Sequence, residues 1–209
     1  MLVVHHLNDS RSQRILWLLE ELGTPYEIKF YARDATTRLA PPELTAIHPL
    51  GKSPVVTDEG RTVHESGAII DYIIRRHGGG RLAPAAGSDA YETYNQWLHY
   101  AEGSAMLPLM LFMYTARLGE GGAPLAPRIE GEIANHMGYV EKALAGRDWL
   151  LGADLTGADI NLSFVAEVMG AFGKLDAYPN MKGWLERFQA RPAYKRALEK
   201  GGAYSFARG

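Results

Sequence analysis

The chain has 209 residues, 46% hydrophobic and 22% charged, with a net charge of -2. That balance belongs to a globular protein able to bury a core without covalent staples, and its interspersed charges exclude the basic footprint of a nucleic-acid binder. There is no cysteine, which removes disulfides, thiolate metal sites and a cysteine nucleophile together.

Met1 to His6 lacks a basic stretch followed by an apolar run, so no signal peptide is expected. Leu2-Val3-Val4-His5 starts a strand, and Asn8-Asp9-Ser10 reads as a turn. Ile15, Leu18, Leu19 and Leu22 then recur at helical spacing, and Gly23 ends that helix. Tyr26 to Tyr31 reads as a second strand. Strand, helix and strand within about thirty residues have the size of one parallel crossover unit. Pro41-Pro42-Glu43-Leu44 opens a short helix. Residues 54–57 and 61–63 flank Asp58-Glu59-Gly60 as a hairpin, and Glu65 to His77 is a helix with Ile69, Tyr72, Ile73 and Arg76 on one face.

Gly78 to Ser88 is rich in Gly, Pro and Ala, and strand signals end there. Asp89 to Leu118 is expected as one helix bent at Pro108, and Pro124 to Leu144 as another. The longest apolar stretch, Ala105 to Tyr114, is about half of the ~20 residues that span a bilayer. Thr156-Gly157-Ala158-Asp159 is a capping box for a helix to about Met169, and Pro179 and Pro192 open the last two helices. A mixed α/β half (1–78), a linker (79–88) and an all-α half (89–209) are therefore expected.

Four motifs in this order resemble the cytosolic glutathione S-transferases along nearly the whole chain. His5 to Arg14 is similar to the strand-to-helix turn that carries the catalytic hydroxyl in serine-type members. His48-Pro49-Leu50-Gly51-Lys52-Ser53-Pro54 resembles the loop before the family's cis-proline, and Glu65-Ser66-Gly67-Ala68-Ile69-Ile70 the Glu-Ser pair that opens its third helix. The capping box at Thr156 is the family's signature in the helical half. The opening, with Pro41-Pro42-Glu43-Leu44 and His48-Pro49-Leu50-Gly51, is closest to the fungal and bacterial branch called the GTT type.

The resemblance implies a thioredoxin-like N-terminal domain that binds glutathione and an all-α C-terminal domain with an electrophile site. Glutathione has two carboxylates, an ammonium and a thiol, and needs donors at both ends with a backbone partner between. Ser10 is the candidate to contact the sulfur, four residues before Arg14; Ser12, Asn8 and a backbone amide are rivals, and Ser10 with Gln13 equally fits a capping box. Ser53, before Pro54, offers its backbone to the cysteinyl part in the manner of an added strand. Ser66 and the amides around it suit the γ-glutamyl carboxylate, Glu65 its ammonium, and Lys52 and His48 the glycyl carboxylate.

Met106, Met110 and Met113 recur at helical spacing beside Tyr114, where the family keeps its electrophile site; an apolar stripe is also ordinary core. No cofactor beyond glutathione as co-substrate is implied, and no metal: His5 and His6 are adjacent on a strand and face opposite ways. The partners implied are glutathione and a small electrophile, in a cytoplasmic homodimer engaged in detoxification, without a membrane span. The same activated sulfur also suits reduction of organic hydroperoxides. Lack of cysteine speaks against the mixed-disulfide branch, and Asn8-Asp9-Ser10 differs from the Ser-Ser-Cys opening of the maleyl isomerases. The remaining reading is a non-catalytic binding or dimerisation module on the same fold.

Overall fold

The computed structural model describes residues 1–207. It divides into two compact units, one of residues 1–85 with the chain from Phe188 onward, the other of residues Ala86–Arg187.

The first unit holds a four-stranded sheet of order β2-β1-β3-β4, made of β1 (Val3–Leu7), β2 (Glu27–Tyr31), β3 (Val55–Asp58) and β4 (Arg61–His64). β1 pairs in parallel with β2, His6 opposite Phe30, and antiparallel with β3, His5 opposite Val55. The parallel pair needs a crossover, and α1 (Ser12–Leu22) supplies it. Gly23 ends α1 in a left-handed conformation, φ 66°, as its position suggests. α2 (Ser66–Arg76) follows the hairpin and buries Ile69, Tyr72 and Ile73, together with Ile70 and Ile74; Arg76 stays exposed.

The expected apolar face of α1 accounts for only part of its burial: Leu16 and Trp17 are also fully enclosed. Phe188, from the helix before it, and the last helix, α8 (Pro192–Gly201), supply the cover. Trp17 stacks on Phe188 at 5.3 Å and meets the edge of Tyr194 at 5.6 Å. Glu21 pairs with Arg191, and Glu20 with Arg196 and Lys200. The sequence reading places this helix with the all-α half. It packs on α1 instead, because its aromatic and basic residues complement the outer face of α1.

The second unit is helical. The single bent helix expected over residues 89–118 is two helices, α3 (Asp89–Tyr100) and α4 (Met106–Ala116), joined by a wider π-type turn over Ala101–Ala105. A proline clashes with the carbonyl four residues before it; for Pro108 that is Ser104, inside the widened turn. The break therefore precedes the proline. After a 3-10 segment over Gly119–Leu125 come α5 (Ala126–Leu144), α6 (Gly157–Ala171) and α7 (Pro179–Gln189). α6 is buried almost throughout, and its Asn161 side chain donates to the carbonyl of Leu98 at 2.7 Å.

Asp159, in the first turn of α6, is wholly enclosed. Its Oδ2 accepts from the N–H and hydroxyl of Thr156 at 3.0 and 2.9 Å, and its Oδ1 from Leu150 N at 2.9 Å and Trp184 Nε1 at 3.2 Å. The capping box thus also ties in the preceding loop and α7. No helix of the described residues is long and apolar enough to cross a membrane.

Candidate functional site

The turn from β1 into α1 is held by side chains distant in sequence. Asn8 Oδ1 accepts from the Arg33 N–H at 2.8 Å. The Arg33 guanidinium donates to the carbonyls of Asn8, Asp9 and Arg38 at 3.0, 3.3 and 2.9 Å. Asp9 takes the left-handed conformation, φ 49°, which a short polar side chain tolerates. Its carboxylate accepts from Ser205 N at 2.8 Å and Arg38 Nη2 at 3.0 Å. Burial opposes ionisation there, but these bonds outweigh it and hold Asp9 below the usual range.

This bracing delivers Ser10 to the head of a buried chain of polar groups. Ser10 Oγ lies 2.7 Å from Ser12 Oγ, Ser12 Oγ lies 2.8 Å from His6 Nδ1, and His6 Nε2 lies 3.1 Å from the carbonyl oxygen of Gly201. The direction of the chain follows from its inner end. A carbonyl only accepts, so His6 carries its proton on Nε2. Burial lowers the basicity of His6, partly offset by the Gly201 carbonyl, so the ring is neutral near pH 7 and Nδ1 is an acceptor. Ser12 Oγ donates to that nitrogen in preference to the Leu7 carbonyl, which is farther away at 3.3 Å. Ser10 therefore donates to Ser12, while accepting from the Ser12 N–H at 3.2 Å.

The Ser10–Gln13 capping box expected as one reading of the sequence does not form. Arg11 occupies the N-cap position, and the carbonyl of Ser10, not its hydroxyl, takes the Gln13 amide at 3.2 Å. Both serines are buried, Ser12 fully and Ser10 with 4% of its surface exposed, so Ser10 is the less enclosed of the two.

The other sequence-derived residues of this unit lie on two segments. The Ser53–Pro54 peptide bond is cis, and Ser53 Oγ donates to the carbonyl of His5 at 2.9 Å. Ser66, 4% exposed, is the first residue of α2. Before it, Glu65 has φ 67°, a strained conformation for a residue with a side chain, and its carboxylate is largely exposed. His48 is half-buried, with its ring 4.0 Å from that of His64, and Lys52 is exposed.

In the second unit, α4 separates the four apolar candidates. Met106 is buried in the core, Met110 and Met113 are half-buried, and Tyr114 is 53% exposed. Leu107 and Leu111, which stand beside the methionines in the sequence reading, share the exposed side with Tyr114 at intervals of about one turn, and Leu118, just past the end of α4, is exposed as well. The sequence reading gives no role to His6, Arg33 and Gly201. Their partners lie from 5 to 195 residues away in sequence, and no local pattern marks such pairs.

Two family descriptions match: "Glutathione S-transferase, N-terminal domain" over residues 1–75 and "Glutathione S-transferase, C-terminal domain" over residues 102–192. Glutathione S-transferase 3 of Schizosaccharomyces pombe is 34% identical, the match covering 96% of this chain and 88% of that protein. Glutathione S-transferase 1 of Saccharomyces cerevisiae is 33% identical, with 94% of each covered. Among solved structures, a glutathione S-transferase from Actinobacillus pleuropneumoniae is 36% identical with a TM-score of 0.89, covering 98% of this chain and 94% of that one. A family member from Pseudomonas fluorescens, solved with two glutathione bound, is 28% identical with a TM-score of 0.81, covering 95% and 92%. With both halves matched in order and relatives of this identity along nearly its whole length, the chain belongs to the glutathione S-transferase family.

Proposed function

We propose that this protein binds glutathione on its first unit, ionises the thiol beside Ser10, and joins the sulfur to an electrophilic carbon of a mostly apolar substrate. The observation that carries this reading is the arrangement of that unit: a braced turn bearing Ser10, a cis Ser53–Pro54 bond, and a buried serine opening α2. A free thiol with a pKa near 8.5 is only a few per cent thiolate at pH 7, and lowering it by about two units takes roughly 2.7 kcal/mol. A hydroxyl donor and the positive end of the α1 helix dipole are groups that supply such stabilisation.

The rest of the tripeptide has matching partners in this proposal. Ser53 meets the cysteinyl part through its backbone. Ser66 and the amides of α2 take the γ-glutamyl carboxylate, and Glu65 its ammonium. Lys52 and His48 attend the glycyl carboxylate. Met110, Met113 and Tyr114 of α4 receive the electrophile, with Met106 behind them. The family resemblance supports a cytoplasmic homodimer working in detoxification, with residues 1–78 and 89–209 as its two domains and α8 returning to the first.

Because the chain contains no cysteine, any ultraviolet thiolate absorbance belongs to the ligand. Titrating bound glutathione by this signal should give a midpoint well below 8.5, and Ser10→Ala should lower turnover about 100-fold while weakening glutathione binding far less. An unshifted midpoint, or no binding, would return the chain to the non-catalytic reading.

A further inference from the structure

The Ser10 hydroxyl has its hydrogen already given to Ser12, so toward a further partner it offers a lone pair and not a donor. The partner that suits it is a thiol, S–H, and not a thiolate. Behind it stand Ser12 and then the accepting nitrogen of a neutral imidazole, with consecutive separations of 2.7 and 2.8 Å. From β2, the edge of Phe30 closes the other side of that imidazole at 5.8 Å, and α8 contributes the Gly201 carbonyl.

We propose that His6 is the base that ionises the glutathione thiol, reached from the sulfur through the hydroxyls of Ser10 and Ser12. The assignment rests on the glutathione reading above and deepens it. In the step, the S–H bond breaks and its proton goes to Ser10 Oγ. The proton that Ser10 held passes to Ser12 Oγ, and the one Ser12 held passes to His6 Nδ1. The electron pair of the S–H bond stays on sulfur, and nothing is oxidised or reduced. The hydrogen bonds between His6 and the ligand then point the other way, from His6 to Ser12, from Ser12 to Ser10, and from Ser10 to the thiolate, while His6 Nε2 still donates to Gly201. The acceptor in the resting chain has become the donor that holds the anion. Once sulfur has bonded to carbon, the imidazolium returns its proton outward along the same groups to water or to the leaving group.

The far end of the chain is built to carry the positive charge. Gly201 is the last residue of α8, where carbonyls lack helical partners and the helix dipole favours a cation. His6 Nε2 donates to that carbonyl in both protonation states. The approach depends on glycine: a Cβ at Gly201 would lie 2.6 Å from Gln13 Oε1 and 2.9 Å from Leu16 Cδ1. The resting ring is neutral because burial lowers its basicity, as a base working near neutral pH must be.

His6→Gln separates proton transfer from positioning. A glutamine amide can accept from Ser12 through its oxygen and donate to Gly201 through its nitrogen, so the neutral chain is preserved, but it cannot take a proton. The probes are glutathione, followed by thiolate absorbance against pH, and S-methylglutathione, which has no thiol proton and reports binding alone. In His6→Gln the thiolate midpoint should rise by at least about one pH unit, a tenfold loss of thiolate near neutral pH, with S-methylglutathione affinity within about twofold of the parent. Ser12→Ala should raise the midpoint likewise, and Ser12→Thr should restore it. A His6→Gln or Ser12→Ala protein with the parent's midpoint overturns the assignment. So does a His6→Gln protein that loses S-methylglutathione binding along with the thiolate, which would leave His6 a positioning residue. If the parent protein binds neither probe, the glutathione reading itself falls, and this one with it.

Discussion

Two buried polar networks, one in each unit, are built on opposite plans. Around Asp159, four donors converge on one carboxylate, two on each oxygen. From Gly201 through His6 and Ser12 to Ser10, the groups line up in single file, and the last has an acceptor position left over. A saturated network stabilises and is chemically idle. A network with an open end can pass on the arrival of a ligand. Burial alone does not distinguish them, since Asp159 and Ser12 are both fully enclosed.

The comparison is broken most severely by Asp159→Ala, which leaves four donors without their acceptor. A loss of about 3–4 kcal/mol is expected in denaturant unfolding, and a loss below about 1 kcal/mol would show that the convergence matters little. The pH dependence of stability sharpens the contrast. Burial pushes Asp159 up to about 6, against its hydrogen bonds. Its ordinary value is 3.8, so between 3.8 and 6 the native state binds more protons than the unfolded chain, and this group makes stability fall as pH rises through that window. His6 has the opposite sign. Its value is lowered from 6.5, so the native state binds fewer protons below that pH, and its contribution is lost as pH falls. Unfolding free energies measured from pH 4 to 7 should lose the downward slope in Asp159→Asn and the acid-side loss in His6→Gln. The same sign of change in both variants would contradict the assignment.

Much of this was legible in the sequence, and the boundary has a physical reason. The strands, the crossover helix, the hairpin and the Thr156 capping box follow from periodicity and from residues three or four apart. The widened turn before Pro108 was not legible as such: a proline announces that a helix must adjust, not where. The placement of α8 was invisible because Pro192 marks where a helix begins and says nothing of what it will pack against. At the candidate site, motifs single out Ser10, Ser53 and Ser66 as candidates, whereas no motif points to a role for His6 or Arg33. The bonds that give them their places reach Gly201 and Asn8 across the fold.

Smaller effects test the rest of the proposed site. Ser66→Ala should weaken glutathione by roughly 1–3 kcal/mol with turnover at saturation kept, since a binding donor acts alike on ground and transition states. Calorimetry showing unchanged affinity would remove Ser66 from the site. The smallest change is expected on α4, where methionine adapts to varied apolar guests. Met113→Ala should raise the electrophile's KM about threefold, the loss of some buried apolar surface, and leave that of glutathione alone. A shift in the glutathione KM instead would place Met113 elsewhere.

The attachment of α8 to α1 has a consequence for the order in which the protein is made. A ribosome releases β1, α1 and the rest of residues 1–85 first, but the helix that covers Trp17 lies beyond the entire second unit. At ordinary elongation rates the intervening hundred or so residues take roughly 5–20 s to appear. Throughout that interval Trp17 faces water, and the carbonyl that steadies His6 has not yet been synthesised. The half of the molecule that is translated first is therefore the half that matures last.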